Sequence, residues 1–103
     1  MLKYNIYIGL NDKDLLKQVI DTTKAKRLVY QTLLKNKIVA YTIYLVNGVF
    51  TNEVGEITKE KTLKIEVLDT EKDSILKSIK EMKKLLNQES VLLEIEKKDI
   101  NFI

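Results

Sequence analysis

The sequence predicts an α+β domain in which four antiparallel strands form one sheet and two helices cover one face of it. Three observations lead to this prediction. Four segments alternate apolar and polar residues, two others repeat apolar residues at helical spacing, and their order along the chain is β-α-β-β-α-β. With 103 residues the chain has the length of one domain, so we predict a single unit over residues 1–103.

The first strand is predicted over residues 4–10, where every second side chain is apolar, while Asn5 and Tyr7 lie on the other face. The apolar face consists of Tyr4, Ile6, Ile8 and Leu10. Turn-forming residues follow from 11 to 14. We therefore expect residues 11–20 to form a connecting loop, with a single helical turn inside it as an open alternative.

The first helix is predicted over residues 22–36, with Asp21 as its N-cap. Its apolar stripe consists of Ala25, Leu28, Val29, Thr32 and Leu33. Lysines flank Asn36, at the end of the helix where the macrodipole favours cations.

The next two strands are predicted to form a long hairpin, over 38–51 and 57–68. β-Branched and aromatic residues dominate the first segment, and in the second Leu63, Ile65 and Val67 alternate with polar residues. Asn47-Gly48 resembles a two-residue hairpin turn, but strand character resumes directly after it. We therefore predict a β-bulge at Gly48 and place the hairpin turn at about 52–56.

The second helix is predicted to start at 69–73, capped by Asp69 or Thr70, and to end at 87–90. Its core stripe consists of Ile75, Ile79, Met82 and Leu86. The lysines on its outer face could bind an anionic partner, but such a row is more often a solvated surface. They are Lys77, Lys80, Lys83 and Lys84. A last strand is predicted over 91–96, and residues 100–103 could add a short extension.

Two helices placed between four strands in this order, with right-handed crossovers, most often fold as a ferredoxin-like sandwich. The predicted sheet order is 4-1-3-2. Both helices are expected on one face, and the other face stays open, with Tyr7 and Tyr44 on it.

A series of short motifs runs along nearly the whole chain, from about residue 4 to 102. The motifs are Gly9-Leu10, Asp21, Gly48-Val49-Phe50, Gly55, Glu60-Lys61-Thr62, Gln88-Glu89-Ser90-Val91 and Phe102. In order and spacing they resemble a family of small bacterial and phage proteins that is classed as a domain of unknown function. The resemblance implies an α+β fold and leaves the biochemical role open.

The chain contains no cysteine and no histidine. This composition excludes disulfides, a thiolate nucleophile, a cysteine-based zinc site, and activation of a nucleophile by histidine. We therefore predict that the protein is not an enzyme and that it holds no cofactor and no metal ion.

The net charge of +3 comes from 18 Lys and Arg against 15 Asp and Glu, and Arg27 is the single arginine. Because arginine is the residue preferred for reading phosphates and bases, we do not expect nucleic acid as a partner. Residues 1–5 include no apolar run of the leader type, and no apolar stretch approaches membrane-spanning length, so we expect neither a leader segment nor a membrane span. We therefore predict no membrane partner and a cytoplasmic location.

One end of the predicted sheet collects polar residues from three parts of the chain. They are Asn11, Asp12, Glu60, Gln88, Glu89 and Ser90. One interpretation is a pocket that binds a small ligand or a hard cation through oxygen atoms. In the second interpretation these residues bind no ligand: Glu89 and Ser90 form hydrogen bonds with unpaired backbone groups at the end of the helix and the start of the strand, and Glu60 pairs with a lysine. Acid–base catalysis by two carboxylates is a third.

The open face and the hairpin arm are the candidate interfaces. Their residues are Tyr7, Thr42, Tyr44, Val46, Phe50 and Val54. Because ferredoxin-like domains often pair through this face, and an apolar arm suggests a contact element, we expect a homo-oligomer, most simply a homodimer. Base stacking on the tyrosines is an alternative, although Glu94 and Glu96 would repel phosphate.

These observations predict a non-enzymatic binding protein, homodimeric, of the kind that a phage or mobile element uses to inhibit a host protein. The first alternative is a domain that binds a small ligand or metal through Glu60, Glu89 and Ser90. The second is a weak nucleic-acid binder that uses the open face.

Overall fold

The structure is a computed structural model, and it describes residues 1–51 and 53–103. Its elements, in chain order, are β1 (Leu2–Gly9), α1 (Thr22–Lys35), β2 (Thr42–Thr51), β3 (Ile57–Leu68), α2 (Lys72–Leu85) and β4 (Leu92–Lys97). The four strands form one antiparallel sheet in the order β2-β3-β1-β4, which is the predicted order 4-1-3-2 read from the other edge. The predicted ferredoxin-like fold is confirmed.

The core lies between the two helices and one face of the sheet, which we call the covered face. Ile6 and Ile8 of β1 are fully buried there, as are Leu63 and Ile65 of β3. Each such side chain contributes about 1.5–3 kcal/mol on leaving water. From the helices come Ala25, Val29, Leu33, Ile75 and Met82. The predicted stripe of α2 is shifted in one place, because Ser78 is buried while Ile79 is half-buried.

The two helices begin differently. Asp21 caps α1 as predicted, since its Oδ1 accepts a hydrogen bond of 2.8 Å from the Lys24 N–H. The prediction that Asp69 or Thr70 caps α2 is wrong. The N-cap is Glu71, whose side chain makes no capping bond, and the Thr70 hydroxyl turns back to the Leu68 carbonyl at 3.3 Å.

The β2–β3 hairpin is more regular than predicted. Pairing runs unbroken from Thr42↔Glu66 to Thr51↔Ile57, with Gly48 directly opposite Glu60. The predicted bulge at Gly48 is therefore wrong, because the register is the same on both sides of it and leaves no extra residue. Gly55, in the turn, has φ +84°, a conformation that suits a residue without a Cβ. Asn52, in the predicted turn, lies outside the described residues.

The boundaries of the remaining segments agree with the sequence prediction only in part. Strand β2 starts at Thr42, because residues 38–41 leave α1 with the Ile38 N–H bonded to the Leu33 carbonyl at 2.9 Å. Residues 11–20 form a loop, as expected, closed by an isolated bridge between Asn11 and Gln18. Residues 98–103 form no strand.

Each helix has 14 residues, and no helix in the described part of the chain is long and apolar enough to cross a bilayer.

The uncovered side of the sheet, which we call the open face, carries a row of three paired residues, Tyr7, Lys64 and Tyr44. The Lys64 ammonium lies 5.5 Å from the Tyr7 ring centroid and 5.8 Å from that of Tyr44. Its hydrogen bond to Tyr7, followed by that to Glu66, raises the pKa of Lys64. The two predicted open-face tyrosines are thus in place, with a cation between them.

Candidate functional site

A cavity of about 410 Å³ lies at the end of the sheet where β1 stops. We call it the polar-end cavity. All six predicted site residues line it: Asn11, Asp12, Glu60, Gln88, Glu89 and Ser90. Three separate parts of the chain therefore meet where the sequence placed them. Tyr7, Phe50, Thr62 and Leu92 complete the wall on the side of the sheet.

Two amide side chains from the end of α2 hold the 11–20 loop in place. The Gln88 Nε2 donates to the carbonyls of Asn11, at 2.8 Å, and Leu86, at 3.1 Å. The Asn87 Nδ2 donates to Asp12 Oδ2 and Asp14 Oδ2, both at 2.9 Å. Asn87 was not among the predicted site residues. The feature of the sequence that could have identified Asn87 is its position directly after the helix. Asparagine tolerates a positive φ there, and its φ is 48°.

Asp12 is a bracing residue of the loop. Its Oδ1 accepts the N–H groups of Asp14, at 2.9 Å, and Leu15, at 3.0 Å. The hydrogen bond from Asn87, followed by these two backbone bonds, lowers the pKa of Asp12. Asp12 therefore stays ionised at neutral pH, which argues against its use as a general acid.

Glu60 takes its position from Gly9. Its Oε2 accepts the Asn11 N–H at 3.0 Å, and a Cβ added to Gly9 would overlap the Glu60 carboxyl group. The absence of a side chain at residue 9 thus lets this carboxylate lie across the end of β1. The alternative in which Glu60 pairs with a lysine is not what the structure shows. Gly9 entered the sequence argument only through a family resemblance, and its pairing opposite Thr62 gives it this steric role.

Glu89 and Ser90 lie exposed at the rim of the polar-end cavity. Tyr7 and Phe50, which we also predicted as interface residues, line the sheet side of the cavity, which we call its floor; whether they contact a partner as well stays a prediction. The arrangement joins an aromatic and apolar floor to carboxylate and hydroxyl groups above it. Such a site suits a ligand with a flat ring at one end and cationic or hydroxyl groups at the other. Over residues 1–51 and 53–103, no group of three acidic side chains is placed to hold a metal ion.

The other predicted interface residues lie where the sequence placed them. Thr42, Tyr44 and Val46 are on the open face of β2, and Val54 is exposed in the hairpin turn. Whether they contact a partner stays a prediction.

No protein-family model matches the sequence, and no curated protein matches it. Solved structures do share the fold. A phage SAM lyase in complex with S-methyl-5′-thioadenosine has a TM-score of 0.69 and 22% identity, over 92% of this chain and 79% of that one. A phage SAM lyase in its apo state has a TM-score of 0.61 and 22% identity, over 92% and 78%. The periplasmic divalent cation tolerance protein CutA from Archaeoglobus fulgidus has a TM-score of 0.61 and 16% identity, over 99% and 88%.

These comparisons contradict the prediction that the protein is not an enzyme, because a chain of this fold at 22% identity is a lyase. The prediction treated the absence of histidine and cysteine as the absence of catalysis. That composition excludes only reactions that need those side chains. The resemblance to an uncharacterised family, the phage origin and the cytoplasmic location stay predictions.

Proposed function

We propose that the protein binds S-adenosylmethionine in the polar-end cavity and cleaves it to S-methyl-5′-thioadenosine. The observation that carries the proposal is the meeting of an aromatic floor and a positioned carboxylate in one cavity. The shared fold of the phage SAM lyase, bound to S-methyl-5′-thioadenosine, supports the choice of ligand.

The size and the lining of the cavity support this choice of substrate. Its volume of about 410 Å³ is within the range of small-molecule sites. Tyr7 and Phe50 bring aromatic rings to the cavity, on which an adenine can pack, and aromatic rings also attract a sulfonium cation. The Glu60 carboxylate offers acceptor oxygens to the ammonium group of the amino-acid tail.

The chemistry of this cleavage needs no histidine or cysteine. S-Methyl-5′-thioadenosine is the substrate without its four-carbon amino-acid tail, so the bond that breaks joins sulfur to the tail's Cγ. The substrate's own carboxylate can attack Cγ and form the new C–O bond, while the S–C electron pair returns to sulfur. The products are the neutral thioether and homoserine lactone, whose amine keeps its proton. No side-chain acid or base takes part.

The protein then contributes by shape and polarity. A cavity that holds the tail curled, with its carboxylate against Cγ, removes the entropy cost of reaching that geometry. A carboxylate and a sulfonium neutralise each other as the bond forms, so a floor that offers apolar ring surface rather than water favours the transition state. Glu60 fixes the ammonium and leaves the substrate's carboxylate free to react.

The test is incubation of the purified protein with S-adenosylmethionine, followed by chromatography for S-methyl-5′-thioadenosine. We expect product with the unmodified chain. In Glu60→Gln, loss of one charged hydrogen bond lowers kcat/KM roughly 10- to 100-fold. Glu81→Gln is the matched control, because Glu81 lies on α2 and pairs with Lys35 at 3.4 Å. Absence of product, with no binding of the substrate by calorimetry, would contradict the proposal; binding without product would favour the ligand-binding alternative.

We also propose that the protein forms homo-oligomers. Tyr44 and Phe50 support this, because both are about half exposed on the open face of an edge strand. A mass of one chain by light scattering would contradict it.

A further inference from the structure

Strand β2 is an edge of the sheet with unusual composition for that position. Its ten residues, Thr42–Thr51, contain no charged residue and no proline, although 32% of the chain is charged and about three charges would be expected in ten residues. Edge strands that stay unpaired usually carry lysine, proline or a bulge, or are very short. β2 has none of these features. The other edge, β4, has six residues and includes Glu94, Glu96 and Lys97.

The hydrogen bonds of the inner strands show which backbone groups of β2 point outward. The Leu10 N–H donates to the Lys61 carbonyl, and the Asp69 N–H donates to the Leu2 carbonyl. Odd-numbered residues of β3 therefore bond to β1, and its even-numbered residues bond to the even-numbered residues opposite them in β2. The odd-numbered residues of β2 turn their N–H and C=O groups away from the sheet. They are Ile43, Leu45, Asn47, Val49 and Thr51.

Apolar side chains flank this edge on both faces. On the covered face, the exposed fractions are 45% for Leu45 and 63% for Val49, because this part of the hairpin extends past the helices. On the open face, Tyr44 is 43% exposed and Phe50 is 55% exposed. Backbone donors and acceptors, with apolar cover on each side, are what an added strand requires.

We propose that an edge strand of a second copy of this chain pairs along β2. Self-pairing is complementary in an antiparallel register centred on Asn47. It sets outward-pointing residues opposite one another, Leu45 against Val49 of the second copy, and no like charges meet. Pairing with β4 of the second copy meets no charge conflict either, and as a head-to-tail contact it builds a ring where its rotation closes. Both arrangements place a second copy on the same edge.

The pairing stands independently of the proposed lyase activity, but it bears on the same site. Phe50 belongs to β2 and also lines the polar-end cavity. A strand added to this edge would therefore run beside the cavity and cover its Phe50 side.

The first test removes one outward backbone donor. Asn47→Pro eliminates an N–H that points away from the sheet and leaves the β2–β3 bonds in place, whereas Asn47→Ala keeps the N–H. By light scattering, we expect the unmodified chain and Asn47→Ala to have a mass of two or more chains, and Asn47→Pro to have the mass of one. Far-ultraviolet circular dichroism checks that the strands persist.

A second pair of variants keeps the test decisive if the proline variant does not fold. Leu45→Lys places a charge on the edge, and Leu34→Lys places one at an exposed position of α1. Only the first should dissociate the assembly. Ile95→Lys, on β4, would dissociate a ring and leave a β2–β2 dimer intact. The inference is overturned if Leu45→Lys keeps the mass of the unmodified assembly; if the unmodified chain has the mass of one chain, homo-oligomerisation fails as well.

Discussion

Gly9 shows how one residue without a side chain can set the position of a functional group. The carboxyl group of Glu60 occupies the space that a Cβ at residue 9 would need. Because the displaced group is the flexible end of a side chain, Gly9→Ala should move the carboxylate and leave the strand intact.

We predict that Gly9→Ala lowers cleavage of S-adenosylmethionine to a similar degree as Glu60→Gln, while the free energy of unfolding changes by less than about 1 kcal/mol. The control is Gly48→Ala, the same change in the strand opposite Glu60. There the nearest atoms, the Glu60 carbonyl oxygen and Thr62 Oγ1, would lie at 3.4 Å, an ordinary contact. Equal activity of Gly9→Ala and the unmodified chain would show that the Glu60 position is irrelevant.

At the residue scale, the sequence predicted which residues line the cavity better than it predicted which contacts each of them makes. Polar type and topology were enough to place Asn11, Glu60 and Glu89 around one cavity. The different contacts that these residues make could not be predicted, because they depend on the direction of each side chain. Asp12 and Gln88 brace the loop, and Tyr7 and Phe50, which the sequence suggested only as interface residues, also line the cavity.

The starts of the two helices allow a direct comparison at the scale of elements. Asp21 accepts a hydrogen bond from the first turn of α1, and Glu71 makes no such bond at the start of α2. We predict that Asp21→Ala lowers the free energy of unfolding by about 1 kcal/mol, or about 4–8 °C in Tm, and that Glu71→Ala changes it little. Thermal unfolding of both variants measures the difference. Equal losses would mean that the capping bond does not stabilise α1.

Periodicity predicted the type and order of every element, because burial on one face imposes it directly. The misplaced features depend on single hydrogen bonds or on register. Gly48 looked like a bulge because Asn47-Gly48 gives a turn signal inside a segment that continues as a strand, yet in-register pairing with β3 overrides that signal. Ile38 is a typical strand residue, but its N–H donates to the Leu33 carbonyl at the end of α1 and its side chain is buried in the core.

At the scale of the whole molecule, the polar-end cavity exists only in the folded chain. Its walls come from the end of β1, the start of β3 and the segment between α2 and β4, which are far apart in the sequence. An unfolded chain cannot assemble them. A ligand that fills the cavity must therefore stabilise the entire domain by mass action.

S-Methyl-5′-thioadenosine is the suitable probe, because it cannot be cleaved in the proposed reaction. At a concentration 100 times its Kd, it should stabilise the fold by about 2.7 kcal/mol, which corresponds to an increase in Tm of about 10–20 °C for a domain of this size. Differential scanning fluorimetry measures the shift. Phe50→Ala should reduce it by weakening adenine stacking, whereas Phe102→Ala, at a residue remote from the cavity, should not. If saturating probe leaves the Tm of the unmodified chain unchanged, the cavity does not bind this ligand, and the aromatic floor needs another explanation.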